Sequence, residues 1–285
     1  MIMSKLNLKN LLSSKLVEEE LKFAPNSYDV IGSKEKAVAI VEIPEELKSR
    51  EKLIAETIMQ ANKNIKSALK KMSERKGELR LREYELIAGD NNTEVIHKEF
   101  GYMLKLDPQK VYFSPREATE RHRIANQVNP GETVVLMFSG ICAYAISIAK
   151  KQSNVKKVYS VEINPDAHKY ALENVRINKV SHLVVPVLGD VRDVCKNYFG
   201  LCDRVVMPLP IGAENFLDIA VKCLKPEGGI IHFYNWGEEK DLFVNAMNLI
   251  SSELKKLKKK YMIAYKTKVL PYSPKKWKVC IDLKI

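Results

Sequence analysis

The chain has 285 residues, 46% of them hydrophobic, and carries 47 Lys and Arg against 35 Asp and Glu, a formal net charge of +12. That is enough chain for one large or two ordinary cores, and no apolar run approaches the ~18–20 residues of a membrane span. The five cysteines are an odd number without a C-x-x-C pair, which argues against a disulfide framework or a zinc site and for a reducing compartment. The positive balance favours a polyanionic partner, nucleic acid before a membrane surface.

The first 22 residues mix charges at helical spacing without a continuous apolar segment, so they do not read as a signal peptide. The pattern predicts a short amphipathic helix over residues 5–22, broken at Pro25-Asn26. Ser27–Val30 and Ala37–Ile43 predict two short strands, and Pro44 ends the second and opens a helix. Ile54, Ile58, Ala61, Ile65 and Leu69 recur at intervals of three and four, predicting an amphipathic helix from Leu53 to Leu69. Its other face would carry Lys63, Lys66, Lys70 and Lys71. Glu78–Leu86, Thr93–Glu99 and Tyr102–Leu106 read as strands, with a turn at Gly89-Asp90-Asn91-Asn92. Residues 1–107 are therefore expected to form a small α+β domain with a basic surface. Val111–Arg123 joins the halves; it is extended at Pro115 and helical from Glu117, and it sets Arg116, Arg121 and Arg123 beside Tyr112 and Phe113.

From Thr133 strands and helices alternate. Strands are predicted at Thr133–Phe138, Lys157–Glu162, Leu183–Leu188, Asp203–Met207 and Gly229–Tyr234, and helices at Ala143–Lys151, Pro165–Asn178, Ala213–Cys223 and Leu242–Lys260. Met262–Leu270 and Lys278–Ile285 follow each other without a helix between them, so they form an antiparallel pair. This is a doubly wound α/β fold, with helices on both faces of a mostly parallel sheet. Ligands of such folds sit at the carboxyl ends of the strands. Those ends hold Phe138, Ser139, Gly140 and Cys142, then Glu162, Ile163 and Asn164, then Gly189, Asp190 and Val191, then Pro208, Leu209 and Pro210. Glu162 suits a ribose diol and Asp190 an exocyclic amine, which together suit adenosine. A dinucleotide needs a glycine-rich pyrophosphate turn, and Ser139-Gly140 is too poor in glycine, which favours S-adenosylmethionine. Cys142 beside this turn reads as a packed thiol before a reactive one, and His232, in a strand pattern, as a packed histidine. No cluster has metal-ligand spacing.

At these residues the sequence resembles the archaeal and eukaryotic-type tRNA (guanine-N1-) methyltransferases that act at position 37. The resemblance covers residues 27 to 285. It rests on SYDVI at Ser27–Ile31, AIVEIP at Ala39–Pro44, GELRLRE at Gly77–Glu83, ELIAG at Glu85–Gly89 and TEVIHKE at Thr93–Glu99. Further on it rests on VYFSPR at Val111–Arg116 with TER at Thr119–Arg121, INPD at Ile163–Asp166, GDVR at Gly189–Arg192, the stretch Arg204–Pro210 and GGIIHFY at Gly228–Tyr234. It implies a Rossmann-like class I methyltransferase sheet over residues 108–285, preceded by a domain for tRNA and base recognition, with no further domain in front. It also implies a general base at Glu120, an Arg at Arg80 or Arg82 that polarises guanine O6, and Arg116 and Tyr112 near the base and the methionine end of the cofactor. Glu162 and Asp190 become the adenosine contacts. The expected partner is the anticodon stem-loop of tRNA, and the expected protein is a cytoplasmic monomer with no membrane contact and no obligate protein partner.

Three places depart from the pattern. Leu136 stands where the family has an acidic residue, Ile141-Cys142-Ala143 replaces a more glycyl segment, and Pro208-Leu209-Pro210 stands for Asn-Leu-Pro. Two other readings accordingly stay open. One is transfer of the aminocarboxypropyl group in wybutosine synthesis, a sister activity on the same frame; the other is a non-catalytic tRNA-binding relative. A wyosine precursor is also a possible methyl acceptor.

Overall fold

The computed structural model describes residues 7–73, 77 and 81–285. Two compact units divide the chain, Met1–Pro115 and Arg116–Ile285, so residues 108–115 fall in the first unit.

The first unit is built on strands β1 (Asp29–Gly32), β2 (Ala37–Val41), β3 (Ile65–Lys71) and β4 (Tyr84–Gly89), in the order β1-β2-β3-β4. The β2–β3 pair is parallel and its neighbours are antiparallel. Strands β5 (Val95–Glu99) and β6 (Tyr102–Leu106) form a separate hairpin. The expected helix over residues 5–22 is instead two short turns, α1 (Leu8–Leu12) and α2 (Glu18–Leu21). Ser13 explains the break: its hydroxyl donates to the Asn10 carbonyl at 2.8 Å, an alternative to continuing the helix.

The helix expected over Leu53–Leu69 also stops early. Helix α3 covers Glu51–Ala61, Asn62 turns extended, and Ile65–Lys71 is the strand β3. Ile65 and Leu69 satisfy the helical interval by coincidence. A strand buried between two neighbours shows no polar alternation, so its apolar run looks like more of the preceding helix. No lysine face forms there. Lys70 is buried and ion-paired with Glu51, Lys71 pairs with Glu42, and Lys66 donates to the carbonyl of Lys63. The strand expected over Glu78–Leu86 begins at Tyr84, and residues 78–80 lie outside the described residues. Ile54 and Ile58 of α3 pack with Leu8, Leu12, Val41 and Ile65 in the core of this unit.

The second unit is a seven-stranded sheet. Its strands are β7 (Thr133–Leu136), β8 (Lys157–Glu162), β9 (Val184–Leu188), β10 (Arg204–Met207), β11 (Ile230–Glu238), β12 (Met262–Ser273) and β13 (Lys276–Lys284). The order is β12-β13-β11-β10-β7-β8-β9, parallel from β11 to β9, with β13 antiparallel to both β11 and β12. Helices α4 (Ala118–Gln127), α5 (Ala143–Lys151), α6 (Pro165–Ile177), α7 (Val191–Val194), α8 (Leu217–Cys223) and α9 (Val244–Lys256) connect or flank the strands. Along β7, Val135 and Met137 enter one core, which also holds Val205, Ile231, Ile281, Leu217 and Ile250. Strand direction of succession reverses between β7 and β10, which places the ligand crevice at their carboxyl ends.

Ile54 is fully buried in the core of the first unit. Ile54→Ala is expected to cost about 2–5 kcal/mol, read as a lower urea midpoint at unchanged slope.

Candidate active site

The turn after β7 is held from three sides. Met137 N donates to the Val206 carbonyl at 3.0 Å and Ser139 N to the Val161 carbonyl at 2.9 Å, so the chain leaves the sheet between β10 and β8. Phe138, Gly140 and Cys142 then take φ of 55°, 56° and 66°. Only the glycine does so at no steric cost; the other two store strain of order 1–3 kcal/mol each, as chains do at functional turns. The curl aims the Gly140 N–H at Glu162, whose Oε2 accepts it at 2.6 Å, while Oε1 accepts from Asn164 N at 2.8 Å. Burial pushes the Glu162 carboxyl up, and these backbone donors pull it back. With Ile163 N–H as a further backbone donor, the carboxylate accepts from three N–H groups and retains acceptor capacity of the kind a ribose hydroxyl uses. Ser139 Oγ is buried without a hydrogen bond of good geometry, the Cys142 thiol being only a weak partner. An orphaned hydroxyl at this turn fits a polar ligand there.

The other expected positions have mixed duties. Asn164 caps α6, its Oδ1 accepting from Asp166 N at 2.9 Å. Asp190 caps α7, one oxygen accepting from Arg192 N at 2.7 Å and the other left for a ligand. Gly189 N donates to the Glu162 carbonyl at 2.9 Å, Ile163 is half-buried, and Val191 packs in the core. The Pro208-Leu209-Pro210 segment has a single backbone N–H, that of Leu209, and it donates to the Met207 carbonyl at 2.8 Å. A ligand therefore meets only carbonyl acceptors there. Cys142 is a packed residue, with burial pushing its thiol up to about 12.

One neighbour of the turn, Phe216, was not legible. The Phe216 ring meets Phe138 edge-on at 4.9 Å, and the Arg192 guanidinium lies 4.3 Å over Phe216. The motif GDVR contains Arg192, but nothing in the spacing points to Phe216.

Glu120 lies in the first turn of α4 and is buried. Arg123, one turn on, donates Nε to Oε2 and Nη2 to Oε1, both at 2.7 Å, and the Tyr234 hydroxyl donates to Oε1. Tyr234 is the residue after Phe233, which pairs with Met207 at the end of β10. The carboxylate is thus bonded to a side chain from the part of β11 just past the end of β10. Arg123 also binds Asp282 on β13 at 2.8 Å. Asp282 in turn accepts from His232 Nδ1 at 2.6 Å, and Arg204 Nη1 donates to His232 Nε2 at 2.7 Å. A guanidinium has only donors, so Nε2 must accept and the imidazole is neutral with its proton on Nδ1. Burial pushes the His232 pKa down, and Arg204 and Arg123 push the same way against Asp282. Burial raises Asp282, but the hydrogen bonds of His232 and Arg123 outweigh it and hold its pKa well below the carboxylate range. Arg204 is completed by Glu132, and Lys278 on β13 binds both oxygens of Glu117 at 3.0 and 2.9 Å. The chain from Glu120 to Glu132 ties α4 to three strands. The sequence assigned a catalytic role in this network to Glu120 alone, although Arg123, His232 and Tyr234 lie in stretches it noted; the partners stand 3, 114 and, beyond Arg123, 159 residues away.

Among the described residues, His232, Cys280 and Asp282 gather ligand atoms as a metal site would. Arg123 donates to Cys280 Sγ at 3.3 Å and Arg204 to His232, so cations already fill the directions a metal would take.

In the first unit Arg82 and Tyr112 line one small pocket with Leu81, Tyr84, Pro108, Val111 and Phe113. Arg80 lies outside the described residues. Arg116 is exposed on the short turn Pro115–Glu117 of the second unit.

Fold and turn together define a doubly wound α/β domain that holds a nucleoside-like ligand at its strand carboxyl ends. The TRM5/TYW2 methyltransferase domain matches residues 95–263, and the TYW2 N-terminal domain matches residues 8–93. The chain belongs to the TRM5/TYW2 methyltransferase family. A tRNA (guanine(37)-N(1))-methyltransferase Trm5b of Pyrococcus abyssi is 42% identical over 270 residues, 94% of this chain and 78% of the relative. A tRNA(Phe) (4-demethylwyosine(37)-C(7)) aminocarboxypropyltransferase of Pyrococcus horikoshii is 30% identical over 285 residues, 98% of this chain and 96% of the relative. The solved complex of aTrm5 and tRNALeu superposes with a TM-score of 0.84 at 36% identity, covering 100% of this chain and 79% of that one.

A neutral buried histidine makes stability depend on pH. Its folded pKa is lowered, so below the ordinary value near 6.5 the unfolded chain binds the proton first and stability falls as pH drops. His232→Gln is expected to flatten this slope, at most about 1.4 kcal/mol per pH unit, as pH falls below about 6.5, measured as the urea midpoint against pH.

Proposed function

We propose that the protein transfers a methyl group from S-adenosylmethionine to N1 of guanine at position 37 of tRNA. The observation that carries this reading is Glu120, a buried carboxylate with a free lone pair, bonded to Tyr234 just past the end of β10. Guanine N1 holds its proton at neutral pH, so methylation there needs a base within hydrogen-bond reach. The 42% identity to the Pyrococcus abyssi methyltransferase supports the same substrate. S-adenosylmethionine, when bound, supplies an activated methyl group on a sulfonium. Glu162 would hold the ribose hydroxyls and Asp190 the adenine amine, with Phe138, Ser139, Gly140, Ile163, Asn164, Gly189 and Val191 shaping the pocket floor. Pro208, Leu209 and Pro210 would present carbonyl acceptors to the base amine in place of an Asn side chain. Arg82 or Arg80 would stabilise the charge on guanine O6 as N1 loses its proton, and Arg116 and Tyr112 would bracket the base and the methionine end. The first unit would serve base recognition and the second catalysis.

The anticodon stem-loop is the proposed partner, bound by a monomer through its basic surface, with the base drawn out of the stack as base-modifying enzymes require. No helix among the described residues is long and apolar enough to cross a membrane, and the five unbridged cysteines support a reducing, cytoplasmic setting. The match of residues 8–93 to the TYW2 N-terminal domain favours a second reading, aminocarboxypropyl transfer onto a wyosine precursor.

The test is an unmodified tRNA transcript with guanine at position 37, incubated with cofactor labelled on the methyl group or on the carboxyl carbon. Methyl label in 1-methylguanosine is expected; carboxyl label in a wyosine-type nucleoside would replace the reading with the second one. Glu120→Ala is expected to lower methyl transfer by about 10²–10⁴-fold while tRNA binding stays.

A further inference from the structure

The oxygens of Glu120 are not equivalent. Each carboxylate oxygen has two in-plane lone pairs. Oε1 spends both, on Arg123 Nη2 and the Tyr234 hydroxyl; Oε2 spends one, on Arg123 Nε. We infer that Arg123 is a positioning residue that fixes Glu120 so that Oε2, through its one open lone pair, is the atom that takes the guanine proton, with Asp282 making that uptake affordable. This rests on the methyl-transfer reading above.

The charge balance gives the reason for a second carboxylate. Glu120 and Asp282 are buried carboxylates that share one half-buried guanidinium, that of Arg123. The net charge of this trio is −1 before the reaction, because His232 is neutral. When the N1–H bond breaks, the proton goes to Glu120 Oε2 and the trio becomes neutral. The nitrogen pair then forms the new bond to the methyl carbon as the old carbon–sulfur bond breaks with its pair left on sulfur. Nothing is oxidised or reduced. Without Asp282, neutralising Glu120 would leave the half-buried Arg123 guanidinium without an ionic partner, which is disfavoured in a site largely shielded from water. Asp282 accepts from Arg123 Nη1 at 2.8 Å and keeps it paired in both states. The groups around Glu120 are Arg121 and Arg123 on its own helix, Glu117 just before that helix, Tyr144 on α5, Tyr234 on β11, and Lys278, Cys280 and Asp282 on β13. Of these only Arg123 and Tyr234 donate to its carboxylate.

The experiment compares the full-length protein with Arg123→Gln, Arg123→Lys and Tyr234→Phe in methyl transfer to the tRNA transcript across pH. Arg123→Gln is expected to lower kcat about 10–100-fold, the cost of a misplaced group, with KM for cofactor and tRNA within about threefold. Loss of the adjacent positive charge should move the acid limb of kcat to higher pH. Arg123→Lys should restore the limb but only part of kcat, because an ammonium lacks the two-point fork. Tyr234→Phe keeps the packed ring, so it reports even where Arg123→Gln does not fold. It should lower kcat roughly 3–10-fold, the worth of one hydrogen bond, because Oε1 then competes for the proton. Folded variants with kcat within about twofold of the parent and an unmoved acid limb would overturn the inference. A fall confined to KM would do the same. A parent protein that moves no methyl group, or a fully active Glu120→Gln variant, would instead overturn the functional reading and this inference with it.

Discussion

The guanidinium of Arg123 is the point on which the second unit turns. It bridges a carboxylate on its own helix to one on the closing antiparallel strand; both carboxylates are buried and the guanidinium between them is half-buried. Buried ion pairs rarely stabilise a fold on balance, since desolvation offsets most of the attraction. What they do is fix geometry. From Glu120 through Arg123, Asp282, His232 and Arg204 to Glu132, a branched set of donor–acceptor pairs joins α4 to the sheet, and a shifted register would break several of them at once. The same docking sets the Glu120 carboxylate against Tyr234, just past the end of β10. Fold specificity and the proposed chemistry therefore use the same side chains.

The C-terminal hairpin gains a purpose from this. In a doubly wound sheet a last antiparallel pair can be simple edge protection. Here β13 supplies Lys278 to Glu117, Cys280 and Asp282 to Arg123, and pairs along the whole of β11. The cofactor turn works by a parallel economy of means. Glu162 collects N–H groups from the turns after β7 and β8, and its own carbonyl takes the N–H of Gly189 after β9. Three strand ends are thereby locked around one carboxylate, which compensates for a turn that has a single glycine and two strained non-glycine residues.

Much of the second unit was legible because each parallel strand is a short apolar run closed by a small or polar residue. Glu162 was legible as the carboxylate at the end of the second strand. The Arg123–Asp282 pair was not, since its members stand 159 residues apart and neither belongs to a motif. In the first unit the sequence misled at β3. Ile65 and Leu69 lie four apart, and a strand covered on both edges gives no alternating signal, so helical spacing extended across Asn62 into a strand. The lysines assigned to that helix are accordingly spent on Glu51, Glu42 and a backbone carbonyl. Pro208 was visible as a departure, but its consequence, a segment with no free N–H, needed the Leu209 turn.

Arg123 binds its two carboxylates as one unit. A double-mutant cycle on urea unfolding, with Glu120→Gln, Asp282→Asn and the pair, measures this directly. Both carboxylates share one guanidinium, so their effects should be coupled by about 1–3 kcal/mol. Additivity within about 0.3 kcal/mol would mean the two pairs act independently, and would contradict the shared-charge arrangement.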